Sequence, residues 1–257
     1  MNVTLCRFLY KVRPSSLGAW LVRRLGIKRE PFQAEEGTFF INPASHFGLS
    51  LLTTKKYEED STSDTVDRLL QPGMSFVDLG ANEGYFSVMA SRRVGPEGRV
   101  IAIEPQPRLQ EVVQKNLELN QCQNAQLETI AVSDKADEVE FFLSPEMNTG
   151  SSGFTRSTRY KVPTVKVQTM PLAQAFAKFG VETVDVMKVD IEGHEYEAIL
   201  GSKEVFEQKR VHHLILELHP WILEKRDLKA DDITDFLKSC GYHRREGFVN
   251  DVFSHVG

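Results

Sequence analysis

The stretch Phe76-Val77-Asp78-Leu79-Gly80-Ala81-Asn82-Glu83-Gly84-Tyr85-Phe86-Ser87 constrains the fold of this chain more than any other. An apolar strand runs into an acidic residue, then a glycine-bearing turn, then a helix start. Gly80 and Gly84 let backbone approach a ligand where a side chain collides. Twenty residues after Gly84, the run Val100-Ile101-Ala102-Ile103 ends in Glu104. That carboxylate falls at a neighbouring strand tip, where it can accept both hydroxyls of a ribose. The pattern predicts a nucleoside-binding, Rossmann-like α/β half.

The loop chemistry bears on which nucleoside. Dinucleotide enzymes use G-x-G-x-x-G because a bare middle glycine seats the pyrophosphate. Here Asn82 holds the middle position and Asp78 precedes the turn. A carboxylate there repels phosphate but suits a cationic donor such as S-adenosylmethionine, which carries an ammonium and a sulfonium. An NAD-dependent oxidoreductase is the competing enzyme class. A non-catalytic nucleoside-binding scaffold is a third reading, although such a scaffold needs none of Asp78, Gly80, Gly84 and Glu104.

With these residues stand Val100-Ile101-Ala102-Ile103-Glu104-Pro105 and, later, Met187-Lys188-Val189-Asp190-Ile191-Glu192-Gly193-His194-Glu195. Across roughly residues 37 to 220, these three ordered motifs make the chain resemble the FkbM-type methyltransferases. The resemblance implies a class I, S-adenosylmethionine-dependent O-methyltransferase on a Rossmann-like, mostly parallel seven-stranded sheet with helices on both faces. It implies cofactor contacts from Asp78, Gly80, Ala81, Asn82, Gly84 and Glu104. Backbone around Ala131-Val132-Ser133, the third strand's tip, would border the adenine. Substrates in the family vary; a hydroxyl of a sugar, glycolipid or secondary metabolite is the expected acceptor.

Alternating strand and helix patterns predict the doubly wound core. Strands are expected at 75–79, 99–103, 126–131, 184–189 and 213–218, and helices at 84–93, 107–119, 171–179, 195–200 and 231–240. A helix over 64–70 stops at Gln71-Pro72-Gly73. Thr38–Ile41 and Phe47–Thr53 read as a hairpin around Asn42-Pro43. Val139–Leu143 and Thr164–Gln168 read as extra strands around a polar loop. In that loop Arg156 and Arg159 could meet an acidic or sugar-bearing acceptor. Asp78, Glu104, Ser133, Asp190 and Glu217 are expected on one rim at the carboxyl ends of the strands.

On the acceptor side, Gly193 permits a tight exit from the fourth strand, and His194 titrates near neutrality. His194 is therefore a candidate general base, against the plainer role of orienting the following helix. Asp190 and Glu192 would orient base or acceptor, with Glu217 assisting. Glu217 and His219 share a side of their strand by alternation. Asp190, Glu217 and His219 could hold a divalent ion, a possible but not favoured feature beside a plain charge network. The stretch after the fourth strand, Asp190-Ile191-Glu192-Gly193, lacks the Asn/Asp-Pro-Pro-Tyr/Phe signature of enzymes that methylate bases.

Net charge of −5 speaks against a nucleic-acid partner. Cys6, Cys122 and Cys240 are widely spaced, as expected of free thiols in a reducing cytoplasmic setting. No apolar run approaches the ~20 residues of a membrane span. Residues 1–35 read as a basic amphipathic helical segment ahead of a methyltransferase domain at 36–257. Residues 1–29 hold seven of the chain's 31 basic residues and no acid. Leu17, Trp20, Leu21 and Leu25 recur there at helical spacing after Ser15 and Ser16. A helix packed on the domain, a peripheral membrane contact and a cleaved presequence all fit. The oligomeric state is not legible.

Overall fold

A computed structural model describes residues 2–57, 60–155 and 162–256. Two helices open it, α1 (Val3–Lys11) and α2 (Ser15–Arg24), followed by the hairpin β1 (Glu30–Gln33) and β2 (Thr38–Ile41). Helices α3 (His46–Thr54) and α4 (Asp60–Leu69) lead into β3 (Ser75–Leu79), α5 (Tyr85–Val94), β4 (Arg99–Ile103), α6 (Pro107–Leu119) and β5 (Ala125–Glu128). Next come β6 (Ala131–Val132), β7 (Asp137–Phe142), β8 (Thr164–Met170), α7 (Leu172–Phe179) and β9 (Val184–Val189). The chain finishes with α8 (Glu195–Leu200), α9 (Lys203–Glu207), β10 (Val211–Leu216), α10 (Pro220–Glu224), α11 (Ala230–Ser239), β11 (His243–Arg244) and β12 (Asp251–Ser254).

Seven strands form one sheet in the order β11-β12-β10-β9-β3-β4-β5. The five from β10 to β5 run parallel, and β12 lies antiparallel between β10 and β11. Because strand side chains alternate, the sheet splits its apolar residues between two cores. Val77, Leu79, Ile101, Ile103, Met187 and Leu214 join Phe176, Ile199, Phe206 and Leu237 on one face. Phe76, Val100, Ala102, Val186 and Ile215 join Phe47, Val66, Met89, Val113 and Leu117 on the other. The central strands are apolar throughout because both faces are covered.

Two sequence expectations are corrected. Phe47–Thr53 is helical, within α3, and the hairpin is formed by β1 and β2 instead. Ser45 caps α3 by accepting from the Gly48 N–H at 3.0 Å, and a short apolar run is ambiguous between strand and helix. The expected strand 126–131 ends at Glu128, because Ala131 and Val132 pair instead with Thr169 and Met170 of β8 in a small sheet β6-β8-β7. Residues 149–152 of the β7–β8 connection lie against the β3–α5 turn and the start of α6, through Asn82, Gln106 and Arg108. Arg156 and Arg159 lie outside the described residues.

At the front of the chain, α1 is capped by the Asn2 side chain, which accepts from the Leu5 N–H at 3.1 Å. Cys6 and Leu9 of α1 meet Val22 of α2, and Leu49 of α3, in a separate small core. Gly18 makes this possible, since a Cβ there would lie 2.8 Å from the Leu9 carbonyl oxygen. None of the described helices is long and apolar enough to cross a membrane.

Candidate functional site

Strand register builds the site. Leu79 pairs with Ile103 on one side and Val189 on the other, and Val189 pairs with Leu216. The residue after each of these is therefore a rim residue: Gly80, Glu104, Asp190 and Glu217. All four line one cavity of about 320 Å³, together with Asn82, Ala131, Val132, Glu192 and His194. Asp78 falls one row lower, opposite Ala102 and Lys188, and is fully buried. It supports the rim and does not line it.

The turn after β3 is shaped by contact as well as by conformation. Gly80 has φ 87°, and a Cβ on it would sit 1.9 Å from the Asp190 carbonyl oxygen. Glu104 locks the next residues, its two carboxylate oxygens accepting from the Asn82 N–H at 2.8 Å and the Gln106 N–H at 2.9 Å. Burial pushes the Glu104 carboxyl up to about 7, with those backbone donors holding it back. Ala81 faces a smaller adjacent cavity, and Gly84 (φ 81°) caps α5 against Val113. Ile103, Ile130, Ala131, Val132 and Phe141 give the cavity one apolar wall, fit for a flat ring.

Below the rim, Asp78 accepts from Ser87 Oγ at 2.6 Å, and its other oxygen lies 3.9 Å from Lys188 Nζ. Burial raises the Asp78 carboxyl, with Lys188 and Ser87 opposing. Lys188 also donates to Asp190 at 3.2 Å and lies over the Phe86 ring at 5.1 Å. A lysine inside a strand covered on both faces is the sequence signal for this buried support, and the motif reading passed over it.

At the acceptor end, His194 is the N-cap residue of α8, its carbonyl accepting from the Ala198 N–H at 3.1 Å while its side chain makes no capping hydrogen bond. Its Nε2 lies 2.9 Å from Ser133 Oγ, its ring lies 4.1 Å from that of Phe154, and its Nδ1 lies 3.4 Å from Glu197. Burial lowers its pKa, so the imidazole is neutral at neutral pH. Ser133 thus reaches the site through His194. Glu192 adopts φ 53°, and burial with the neighbouring Asp190 raises its carboxyl to about 7, against the pull of His219. Burial and Asp190 likewise raise Glu217.

The described residues contain one cluster spaced for a cation: Asp190, Glu192 and His219. Glu192 takes the place that the sequence reading gave Glu217. His219 Nδ1 lies 2.9 Å from the fully buried Glu195, and Nε2 lies 3.7 Å from Glu192 and 3.9 Å from Asp190. Burial works against a charged His219, yet Glu195, Glu192 and Asp190 together raise it to about 9. A charged imidazole at His219 offsets part of the negative charge of these carboxylates.

Several contributors come from remote segments. Tyr10 of α1, His46 and Tyr57 line the cavity. From the β7–β8 connection, Thr149 Oγ1 donates to Asn82 Oδ1 at 2.8 Å, and Asn148, Gly150 and Ser151 also border the cavity. Arg108 ties that connection down by donating to the Ser144 carbonyl at 2.7 Å and Ser152 Oγ at 3.0 Å. A second groove, lined by Tyr10, Arg13, Asn148, Glu192 and Trp221, lies beside the cavity and shares Tyr10, Asn148, Ser151 and Glu192 with it.

The sequence profile of the methyltransferase FkbM domain matches residues 78–244. The AMB antimetabolite synthetase AmbE of Pseudomonas aeruginosa is 25% identical over 78% of this chain, which spans only 11% of that protein's length. The methyltransferase sdnD of Sordaria araneosa is 26% identical over 58% of this chain and 68% of its own. Among solved structures, the methyltransferase FkbM from Methylobacillus flagellatus KT aligns with 81% of this chain and 54% of its own at 14% identity and a TM-score of 0.47.

Proposed function

The chain belongs to the methyltransferase FkbM family, and on that premise we propose that it moves the methyl group of S-adenosylmethionine to a hydroxyl of a sugar, glycolipid or secondary metabolite. One observation carries this reading: the ribose-type carboxylate Glu104, the apolar wall at Ala131 and Val132, and the acidic group Asp190, Glu192 and Glu217 share one cavity. A cationic adenosyl donor satisfies all three parts. A dinucleotide satisfies the first two and meets repulsion at the third.

The donor supplies a methyl group already activated by its sulfonium. The protein's work is alignment and proton removal, and alignment alone can lower a barrier by ~7–11 kcal/mol. Glu104 would hold the ribose, with Gly80, Ala81 and Asn82 giving close backbone approach and Gly84 setting the helix behind them. Asp78 would act from beneath by fixing Lys188 and, through it, Asp190. Neutral His194, its Nδ1 facing Glu197, would take the acceptor hydroxyl's proton at Nε2, the acceptor replacing the Ser133 hydroxyl there. Asp190 and Glu192 would orient the acceptor, and Glu217 would add negative potential.

Calorimetry with S-adenosylmethionine, its demethylated product and NAD tests the donor. Isotope-labelled donor with a panel of hydroxylated acceptors tests the transfer. The reading expects donor and product to bind, NAD to fail, and label to appear on oxygen. Tight NAD binding with no response to the adenosyl donor would overturn it.

A further inference from the structure

We propose that the α1–α2 surface is a docking face for an anionic lipid bilayer. Seven large apolar residues are exposed among the described residues, and five of them, Leu5, Phe8, Leu17, Trp20 and Leu25, fall in the first 25 positions. Phe8 is 65% exposed and Trp20 53%. The two helices already use a different stripe, Cys6, Leu9 and Val22, to pack on α3. The outward residues are thus a second set of apolar side chains that the described residues leave exposed.

Charge identifies the partner. Residues 1–29 carry seven basic residues and no acidic one, so with a net charge of −5 for the whole chain, the remainder carries −12. A molecule polarised in this way presents its helices to a negative surface and is repelled from it elsewhere. Exposed aromatic and leucine side chains beside lysine and arginine suit the headgroup boundary, where rings bury and cations remain with phosphate. Since no described helix can span a bilayer, the contact is peripheral. Tyr10, Arg13 and Ser15 of the same segment line the groove beside the cavity, so docking brings that groove near the headgroups. The docking does not depend on which reaction the cavity performs.

Co-sedimentation of the full chain is compared on vesicles of phosphatidylcholine alone and of equal parts phosphatidylcholine and phosphatidylglycerol. Binding is expected to the second and not the first, and to weaken with salt. Lys11→Glu, Arg24→Glu and Lys28→Glu together should lower partition by about a hundredfold, at roughly fivefold per basic residue lost from an anionic surface. Phe8→Ser with Trp20→Ser should abolish it. Both variants should keep their melting temperature and donor affinity. No sedimentation on anionic vesicles, equal sedimentation on both, or variants that bind as wild type would overturn the proposal. So would light scattering that shows a dimer which Phe8→Ser with Trp20→Ser splits, since a second copy would then cover the face.

Discussion

In the proposed transfer His194 would take the proton, and its surroundings keep the imidazole neutral. A buried, neutral imidazole held by Ser133 can accept a proton without first losing one. Replacing His194 with Ala should cut turnover by roughly 10²–10⁴ while leaving donor affinity intact; wild-type turnover would remove it from the role. Glu104 makes a second, pH-dependent prediction. Its carboxyl sits at about 7, and only the ionised form can accept from two ribose hydroxyls. Donor affinity should weaken about tenfold between pH 8 and pH 6, as follows from a pKa near 7. Glu104→Gln should bind weakly with no such slope, and calorimetry at the two pH values distinguishes them. His219 yields a third. Because its imidazolium sits between Asp190 and Glu192, dialysis against EDTA should leave turnover unchanged. Loss of activity restored by Mg²⁺ would instead make that cluster a metal site.

At the level of elements, the turn joining β3 to α5 is fixed by an approach that only glycine tolerates. Gly80 and Gly73 have nearly the same φ, 87° and 85°, but a Cβ on Gly73 meets nothing within 4 Å. Alanine at Gly73 should cost about 1 kcal/mol of backbone strain. Alanine at Gly80 adds a collision with β9's exit and should cost at least ~2 kcal/mol more, with loss of donor binding. Urea denaturation of the two variants checks this, and equal losses would contradict it. The same comparison explains what the sequence made legible. Rim carboxylates at 104, 190 and 217 end apolar runs, so their places could be read directly. Asp78 was misplaced by one row, because periodicity of two locates a face but leaves depth to the register with neighbouring strands. Helix α3 was missed because Phe47, Leu49, Leu51 and Leu52 satisfy either period. Tyr10 and Asn148 reach the cavity across long sequence separations, and no local pattern encodes such contacts.

For the whole molecule, the cavity's construction matters more than any one residue. Its lining draws on α1, on α3, on the tips of four parallel strands and on the β7–β8 connection held by Arg108. A ligand in that space touches several of these segments at once, so its binding energy opposes global unfolding as well as local opening. At a hundred times the dissociation constant, binding to the native state alone adds ~2.7 kcal/mol. For a chain of 257 residues, each kcal/mol moves the midpoint by about 2–4 °C, so S-adenosylmethionine or its demethylated product should raise the melting temperature by about 5–10 °C. NAD should leave it unchanged, because the acidic end of the cavity rejects the pyrophosphate. A rise with NAD, or none with the adenosyl donor, would mean that the rim carboxylates do not select by charge. Cofactor choice would then have to be sought in shape alone.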